Sequence, residues 1–191
     1  HKHGDHTGGV QDLIALYPRA EVFGPSRESI KGITRPVVEG DRIVPCGLEV
    51  TFEVMDVPGH TEGHVAYYGE GALFCGDTLF TGGCGRVFSG THRQLHASLQ
   101  RIAALPPQTR IYCAHEYTLA NLGFAAWVEP DSPADTGGLL LGDTIVSVSG
   151  EPVRHHDDLL AQLSGDRVGA EVSIGIVRGG QQANISVVVG E

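Results

Sequence analysis

Four potential metal ligands fall within the first six residues of the chain, which read HKHGDH. In an extended segment His1 and His3 project to one face, while Asp5 and His6, at a turn into a helix, can aim at a neighbouring point. Histidine nitrogens and aspartate oxygens are common ligands of divalent metals. The spacing therefore predicts a site that serves two metal ions a few ångströms apart.

Three later stretches place a histidine or an acid just beyond a predicted strand. They are residues 58–64, 75–80 and 112–117, which read PGHTEGH, CGDTLF and YCAHEY. A rigid strand end can hold a side chain to the tolerance that a metal ion demands. A single histidine or aspartate at such a place is usually an ordinary turn residue, but the four stretches together favour one metal centre.

These motifs resemble those of the metallo-β-lactamase superfamily and, within it, of the glyoxalase II (hydroxyacylglutathione hydrolase) family. The resemblance runs from His1 to about Asp131 through HxHxDH, PGHTxGH, GDTLFxGGCGRxFxGT and YCxHEYTxxNLxFAxxVEP. The first motif is typical of the whole superfamily, whereas the last two point to glyoxalase II.

The resemblance implies a dinuclear centre with one bridging carboxylate. One ion would take His1, His3 and His60, the other would take Asp5, His6 and His115, and Asp77 would bridge them. The two acids Asp5 and Asp77 are the predicted catalytic residues. In that family the first histidine of HTxGH is the ligand, so His64 is expected to support the site without binding metal.

The resemblance also implies the reaction, which is hydrolysis of S-acyl (2-hydroxyacyl) glutathione thioesters. Two divalent ions, zinc with iron and manganese as alternatives, would generate hydroxide near neutral pH and stabilise the oxyanion that follows its attack. Arg86 and Tyr117 are the implied glutathione contacts, although a solvated surface role for Arg86 stays open. Phe88 stands where some family members carry tyrosine, which removes one hydrogen bond.

The elements that must position these groups are short strands and amphipathic helices. Apolar spacing predicts helices over 10–17, 91–105 and 118–128, and strands at 21–23, 37–38, 49–57 and 110–113, with a hairpin of 64–68 and 72–75. The predicted fold class is α+β: a partial metallo-β-lactamase αββα sandwich followed by a partial PDZ-like, β-rich domain. The resemblance implies opening strands before HxHxDH and a C-terminal helical segment, and we expect neither within these 191 residues.

The character of the chain changes near residues 129–133. Eight of the ten histidines and all four cysteines precede this point. Residues 128–191 resemble the later part of a bacterial HtrA-type PDZ domain. Predicted here are a strand at 144–149, a turn at 150–152, a helix over 155–163, and strands at 171–178 and 183–189 that pair across Gly179-Gly180. We therefore predict domains at 1–129 and 130–191, and a peptide partner for the second. Natural fusion and recombination at shared sequence both remain open as its origin.

Composition excludes several classes of partner. The net charge of −10 follows from 13 Lys+Arg against 23 Asp+Glu, and no basic stripe offsets it, so nucleic acid is not expected to bind. No apolar run approaches the ~20 residues that span a bilayer, so no membrane association is expected. Four scattered cysteines without a CxxC pair indicate a reducing compartment and a cytoplasmic location.

Two other functions remain as alternatives. One is a persulfide dioxygenase-like enzyme with a single iron, which Asp5, His6 and His115 disfavour because they supply a second site. The other is a catalytically inactive fusion fragment that keeps only the PDZ-like peptide-interaction segment.

Overall fold

A computed structural model describes residues 1–119, 121–122, 131–140, 143–153 and 156–190. The chain forms two compact units, His1–Glu116 and Tyr117–Glu191. The predicted domain boundary at 129/130 lies outside the described residues. Helices and strands occur in both units, which confirms the predicted α+β class. In the described ranges, no helix is both long enough and apolar enough to cross a membrane.

The first unit is built on one five-stranded sheet. Its elements are α1 (Gly4–Thr7), α2 (Val10–Leu16), β1 (Phe23–Pro25), β2 (Arg35–Val37), β3 (Arg42–Ile43), β4 (Phe52–Asp56), β5 (Val65–Gly69), β6 (Ala72–Gly76), β7 (Leu79–Phe80), β8 (Gly83–Cys84), α3 (His92–Ala103) and β9 (Arg110–Cys113). The sheet order is β3-β4-β5-β6-β9, and only the β6–β9 pair is parallel. β1 and β2 form a separate parallel pair.

Alternation along β4 and β5 sends side chains to the two faces of this sheet. Met55 and Ala66 join a buried cluster that includes Ile102 of α3, whereas Val54 and Val65 join a second cluster with Val37. Helix α3 begins at a capping box in which Thr91 and Gln94 satisfy each other's backbone N–H groups. The helix packs on the sheet face of Met55 and Ala66 through Ile102, and Ser98 donates to the carbonyl of Pro58 just after β4 at 2.7 Å.

The predicted hairpin of β5 and β6 is confirmed. Its turn residues Glu70 and Gly71 have φ of 49° and 69°, as a two-residue turn between right-twisted strands requires. The helix predicted over 10–17 is confirmed as α2, and that over 91–105 as α3. The strands expected at 21–23 and 37–38 are displaced by about two residues, because they pair with each other as β1 and β2.

The second unit is a four-stranded antiparallel sheet with short helices. It contains α4 (Pro133–Thr136), β10 (Thr144–Val148), β11 (Glu151–Pro152), α5 (His156–Leu163), a 3-10 turn (Gly165–Arg167), β12 (Glu171–Arg178) and β13 (Gln181–Val188). The strand order is β11-β10-β12-β13, and β12 turns into β13 across Gly179-Gly180 as predicted. Of the helix predicted over 118–128, residues 118–119 and 121–122 are helical, and 120 and 123–128 lie outside the described residues.

Eight aliphatic side chains form the core of this second unit. They are Leu139, Val148, Leu159, Val172, Ile174, Ile176, Val187 and Val189. Alternate residues of β12 supply three of them and β13 supplies Val187, which is why the period-two pattern of the sequence predicts these strands. The turn predicted at 150–152 is wrong in part, since Glu151–Pro152 forms the edge strand β11, a position where proline is tolerated.

Candidate metal centre

The centre lies at one edge of the five-stranded sheet. Strands β4, β6 and β9 run in the same direction, because β5 is antiparallel to both β4 and β6 and β9 is parallel to β6. Their carboxyl ends therefore open at the same edge. The loops that follow them carry His60, Asp77 and His115, and the first six residues bring the remaining predicted ligands to the same place.

Three histidine nitrogens converge in a first group. His1 Nε2 lies 3.0 Å from His3 Nδ1, and His3 Nδ1 lies 3.1 Å from His60 Nε2. The His1 side chain is fully buried and that of His60 is nearly so. Three imidazole nitrogens that face one point can share one cation.

A second group combines two carboxylates with two histidines. His115 Nε2 lies 3.2 Å from Asp5 Oδ2 and 3.3 Å from Asp77 Oδ1, and His6 Nε2 lies 3.3 Å from Asp77 Oδ1 and 3.7 Å from Asp5 Oδ2. Asp5 is more than half exposed, whereas Asp77 is buried. This group is therefore open to solvent on the side of Asp5.

Asp77 lies between the two groups and divides its oxygens between them. Its Oδ2 is 3.3 Å from His60 Nε2 and 3.8 Å from His1 Nε2, while its Oδ1 faces His6 and His115. A carboxylate in this position can contact a cation in each group through a different oxygen.

The donor atoms fit divalent metal ions. Ligand bonds of about 2.0–2.2 Å in tetrahedral geometry put neighbouring donors roughly 3.3–3.6 Å apart, close to the spacings in both groups. His6 Nε2 and Asp77 Oδ1 are buried and have no hydrogen-bond partner among the described groups. Buried polar atoms without a partner cost free energy of folding, and a bound cation would offset that cost.

Hydrogen bonds fix the ring of His60 for ligation. Its Nδ1 donates to the carbonyl of Arg86 at 2.6 Å, which leaves the lone pair on Nε2 facing the first group. Burial lowers the pKa of His60, so the ring is held in the neutral form that binds metal. The sequence draws attention to the side chain of Arg86 but not to its carbonyl, because residue type carries no information about a role of the backbone.

His64 is buried beside the centre but offers it no free nitrogen. Its Nδ1 lies 3.0 Å from the carbonyl oxygen of Val65, and its Nε2 accepts the backbone N–H of Asp77 at 3.2 Å. Burial lowers the pKa of His64 to about 3, so the ring is neutral. Both nitrogens are already used within the protein.

An aromatic ring forms one wall of the first group. The edge-to-face contacts of Phe88 place its centroid 4.8 Å from that of His3 and 5.1 Å from that of His60. The Arg86 guanidinium carbon lies 4.7 Å from the Phe88 centroid, a cation–π distance. Arg86 is thus held beside the centre, whereas Tyr117 is half-exposed and is the first residue of the second unit. The glutathione contact expected of Tyr117 stays a prediction.

Comparisons with known protein families give a match for each part of the chain. The family model for the metallo-beta-lactamase superfamily matches residues 14–115, just over half of the chain, and that for the PDZ domain matches residues 115–189. The chain therefore belongs to the metallo-β-lactamase superfamily, and its later part is similar to a PDZ domain.

Individual proteins show which members of the superfamily this chain is similar to. The hydroxyacylglutathione hydrolase of Alkalilimnicola ehrlichii is 56% identical over 133 residues, which are 70% of this chain and 52% of that protein. The crystal structure of ETHE1 from Myxococcus xanthus has a TM-score of 0.55 at 32% identity and covers 61% of this chain and 52% of its own. The di-iron-bound form of TTHA1623 has a TM-score of 0.52 at 32% identity, over 61% and 67%. The chain spans about half the length of the curated relatives it matches.

Proposed function

We propose that the chain hydrolyses S-acyl glutathione thioesters at a centre of two divalent metal ions. The observation that carries this proposal is the position of Asp77, whose two carboxylate oxygens face two separate groups of ligands. The relatives named hydroxyacylglutathione hydrolase supply the substrate class.

The proposed ligands are His1, His3 and His60 for one ion, Asp5, His6 and His115 for the other, and Asp77 for both. When bound, the two ions would activate a water molecule, polarise the thioester carbonyl and stabilise the negative charge that develops on its oxygen. Zinc is the proposed metal because histidine and carboxylate suit it, although such donor sets also accept iron or manganese.

The protein's own groups orient the substrate and the reacting atoms. Asp77 is buried and would hold a cation in each group through a different oxygen, while the exposed Asp5 borders the side open to solvent. The Arg86 guanidinium, held against Phe88, suits a carboxylate of the glutathione moiety. Since a thiolate leaves without needing a strong acid, the site requires no separate proton donor.

Two further proposals concern the rest of the chain. The PDZ domain is proposed to bind peptide ligands, which fits the domain type that residues 115–189 match. A cytoplasmic location is proposed because Cys46, Cys75, Cys84 and Cys113 are all free thiols in the structure.

Metal analysis together with substrate kinetics tests the main proposal. The purified chain should hold about two ions and should hydrolyse S-(2-hydroxyacyl) glutathione, but not β-lactams. One iron per chain would favour the persulfide dioxygenase-like alternative, and no metal with no thioesterase activity would favour an inactive fragment.

A matched pair of variants tests the role of Arg86 in substrate binding. Arg86→Met should raise KM with kcat nearly unchanged, because it removes a contact shared by ground and transition states. Arg93→Met, at an exposed position of α3, should leave both constants unchanged. Equal KM values in the two variants would contradict the proposed glutathione contact.

A further inference from the structure

The imidazole of His64 lies behind the centre and belongs to neither ligand group. It is 1% exposed, and its ring stacks on that of His1 with centroids 4.6 Å apart and an interplanar angle of 18°. It is a buried titratable group that the proposed reaction does not itself use. The question is what such a polar ring does at this position.

Its two hydrogen bonds determine which nitrogen carries the proton. The carbonyl of Val65 can only accept, so the Nδ1 that lies 3.0 Å from it must carry the hydrogen. Nε2 is then a pure acceptor, and it receives the backbone N–H of Asp77 at 3.2 Å. The ring thereby links the start of β5 to the turn that follows β6.

The backbone at Gly76 leaves room for this ring. A Cβ at Gly76 would lie 2.7 Å from His64 Cε1 and 2.9 Å from Nε2, and the φ of 52° at this residue is one that side chains disfavour. The ring of His64 is therefore confined between the His1 ring on one side and the Gly76 backbone on the other. A glycine immediately before Asp77 allows the ring to reach the N–H of Asp77.

We propose that His64 is a positioning residue, which sets the orientation of the Asp77 carboxylate through its backbone N–H so that one oxygen faces each ligand group. This inference rests on the proposed function, because it assumes that both groups bind metal. Without the acceptor at Nε2, the buried N–H of Asp77 loses its hydrogen bond, and the shared carboxylate no longer serves both ions equally. Partners of this kind behind a ligand typically change metal affinity by about 10–100-fold.

Two amide variants of His64 distinguish its hydrogen bond to the Asp77 N–H from the volume that its side chain fills. The side-chain oxygen of His64→Gln can reach the position of Nε2 and accept the Asp77 N–H. The shorter His64→Asn can bond only near Val65. Manganese(II) is the probe, because its titration gives two affinities and its spectrum reports magnetic coupling between two ions that share a bridge.

His64→Asn should bind the second Mn(II) about 10–100-fold more weakly than the unsubstituted chain and should lose the coupling signal. His64→Gln should keep the coupling and should bind both ions within about threefold of the unsubstituted chain. If the two variants lose affinity and coupling equally, or if neither changes, the positioning role is overturned.

The same titration distinguishes the two proposals. If the unsubstituted chain couples two Mn(II) ions but cleaves no glutathione thioester, the proposed substrate is wrong, while the Asn and Gln comparison still decides the role of His64. If the unsubstituted chain binds fewer than two ions, both proposals are overturned.

Discussion

The two units of the chain treat buried charged groups in opposite ways. The first unit buries His60, His64 and Asp77, and Asp77 Oδ1 has no hydrogen-bond partner among the described groups. In the described part of the second unit the buried charge is Asp143, which accepts from Arg178 at 2.7 and 2.6 Å and from the N–H of Leu140 at 2.8 Å. Among the described residues, the first unit leaves its buried carboxylate with an unpaired oxygen, whereas the second unit pairs its buried carboxylate with its own donors.

The difference in how the buried charges are paired indicates where each unit obtains its stability. The eight aliphatic side chains of the second unit form a core that needs no ligand. The first unit gathers histidines and acids that water would otherwise solvate, so a cation bound as proposed would contribute to its folding free energy. We therefore expect the stability of the first unit to depend on metal and that of the second unit not to.

Removal of metal should have the largest effect and should be confined to the first unit. Free metal at about 1,000 times its Kd stabilises a folded site by about 4 kcal/mol, and chelation removes that contribution. Hydrogen exchange followed by mass spectrometry should show faster exchange at residues 60–64 and 76–78 after chelation, with no change at residues 171–178. Equal loss of protection in both units would contradict the contrast.

Asp77→Ala should have the next largest effect, because Asp77 is the carboxylate that faces both ligand groups among the described residues. Elemental analysis should find at most one ion per chain in place of two. The control is Asp12→Ala, at an exposed position in the first turn of α2, which should keep both ions. Two ions retained after loss of Asp77 would show that the groups bind metal without a shared carboxylate.

Asp143→Asn should destabilise the second unit by a smaller amount. Hydrogen bonds to charged groups contribute about 1.5–3 kcal/mol each, and the side chain of Asp143 is 1% exposed. Metal content should not change. Glu21→Gln is the comparison, since its pair with Arg35 is exposed on both sides and should change stability by at most about 0.5 kcal/mol. Similar losses in denaturant unfolding for the two variants would contradict the role of burial.

Acidification should reduce the stability that Asp143 contributes, and this effect should be the smallest of those predicted here. Burial alone would raise the pKa of Asp143, but the Arg178 guanidinium and the Leu140 N–H outweigh it and hold the pKa below its ordinary value. A carboxyl with a lowered pKa stabilises the folded state above its unfolded pKa of about 4, and this contribution is lost as pH falls through the lowered value. The stability difference between the unsubstituted chain and Asp143→Asn should therefore shrink between pH 7 and pH 2.

The sequence shows the candidate ligands more clearly than it shows their arrangement. The motifs around His60, Asp77 and His115 are short and local, so their residue types are visible in the printed chain. Their meeting point depends on strand order, because β9 shares the direction of β4 and β6 only through its parallel pairing with β6. No local pattern specifies that pairing.

Short or exposed elements account for most of the remaining differences. The two-residue strand β3 has too few positions to show alternation, and β1 contains a glycine and a proline that hide its strand character. The long strands β12 and β13 alternate apolar and polar residues clearly, so their pairing is predicted correctly. The contact between Arg86 and Phe88 depends on side-chain conformations that spacing alone cannot indicate.

The order of the ligands along the chain has a kinetic consequence. The second ligand group joins Asp5 and His6, near the start of the first unit, to His115, near its end. Contacts between such distant positions close large loops and form late in folding. Metal ions should therefore bind after the transition state and slow the unfolding of the first unit, with little effect on its folding rate.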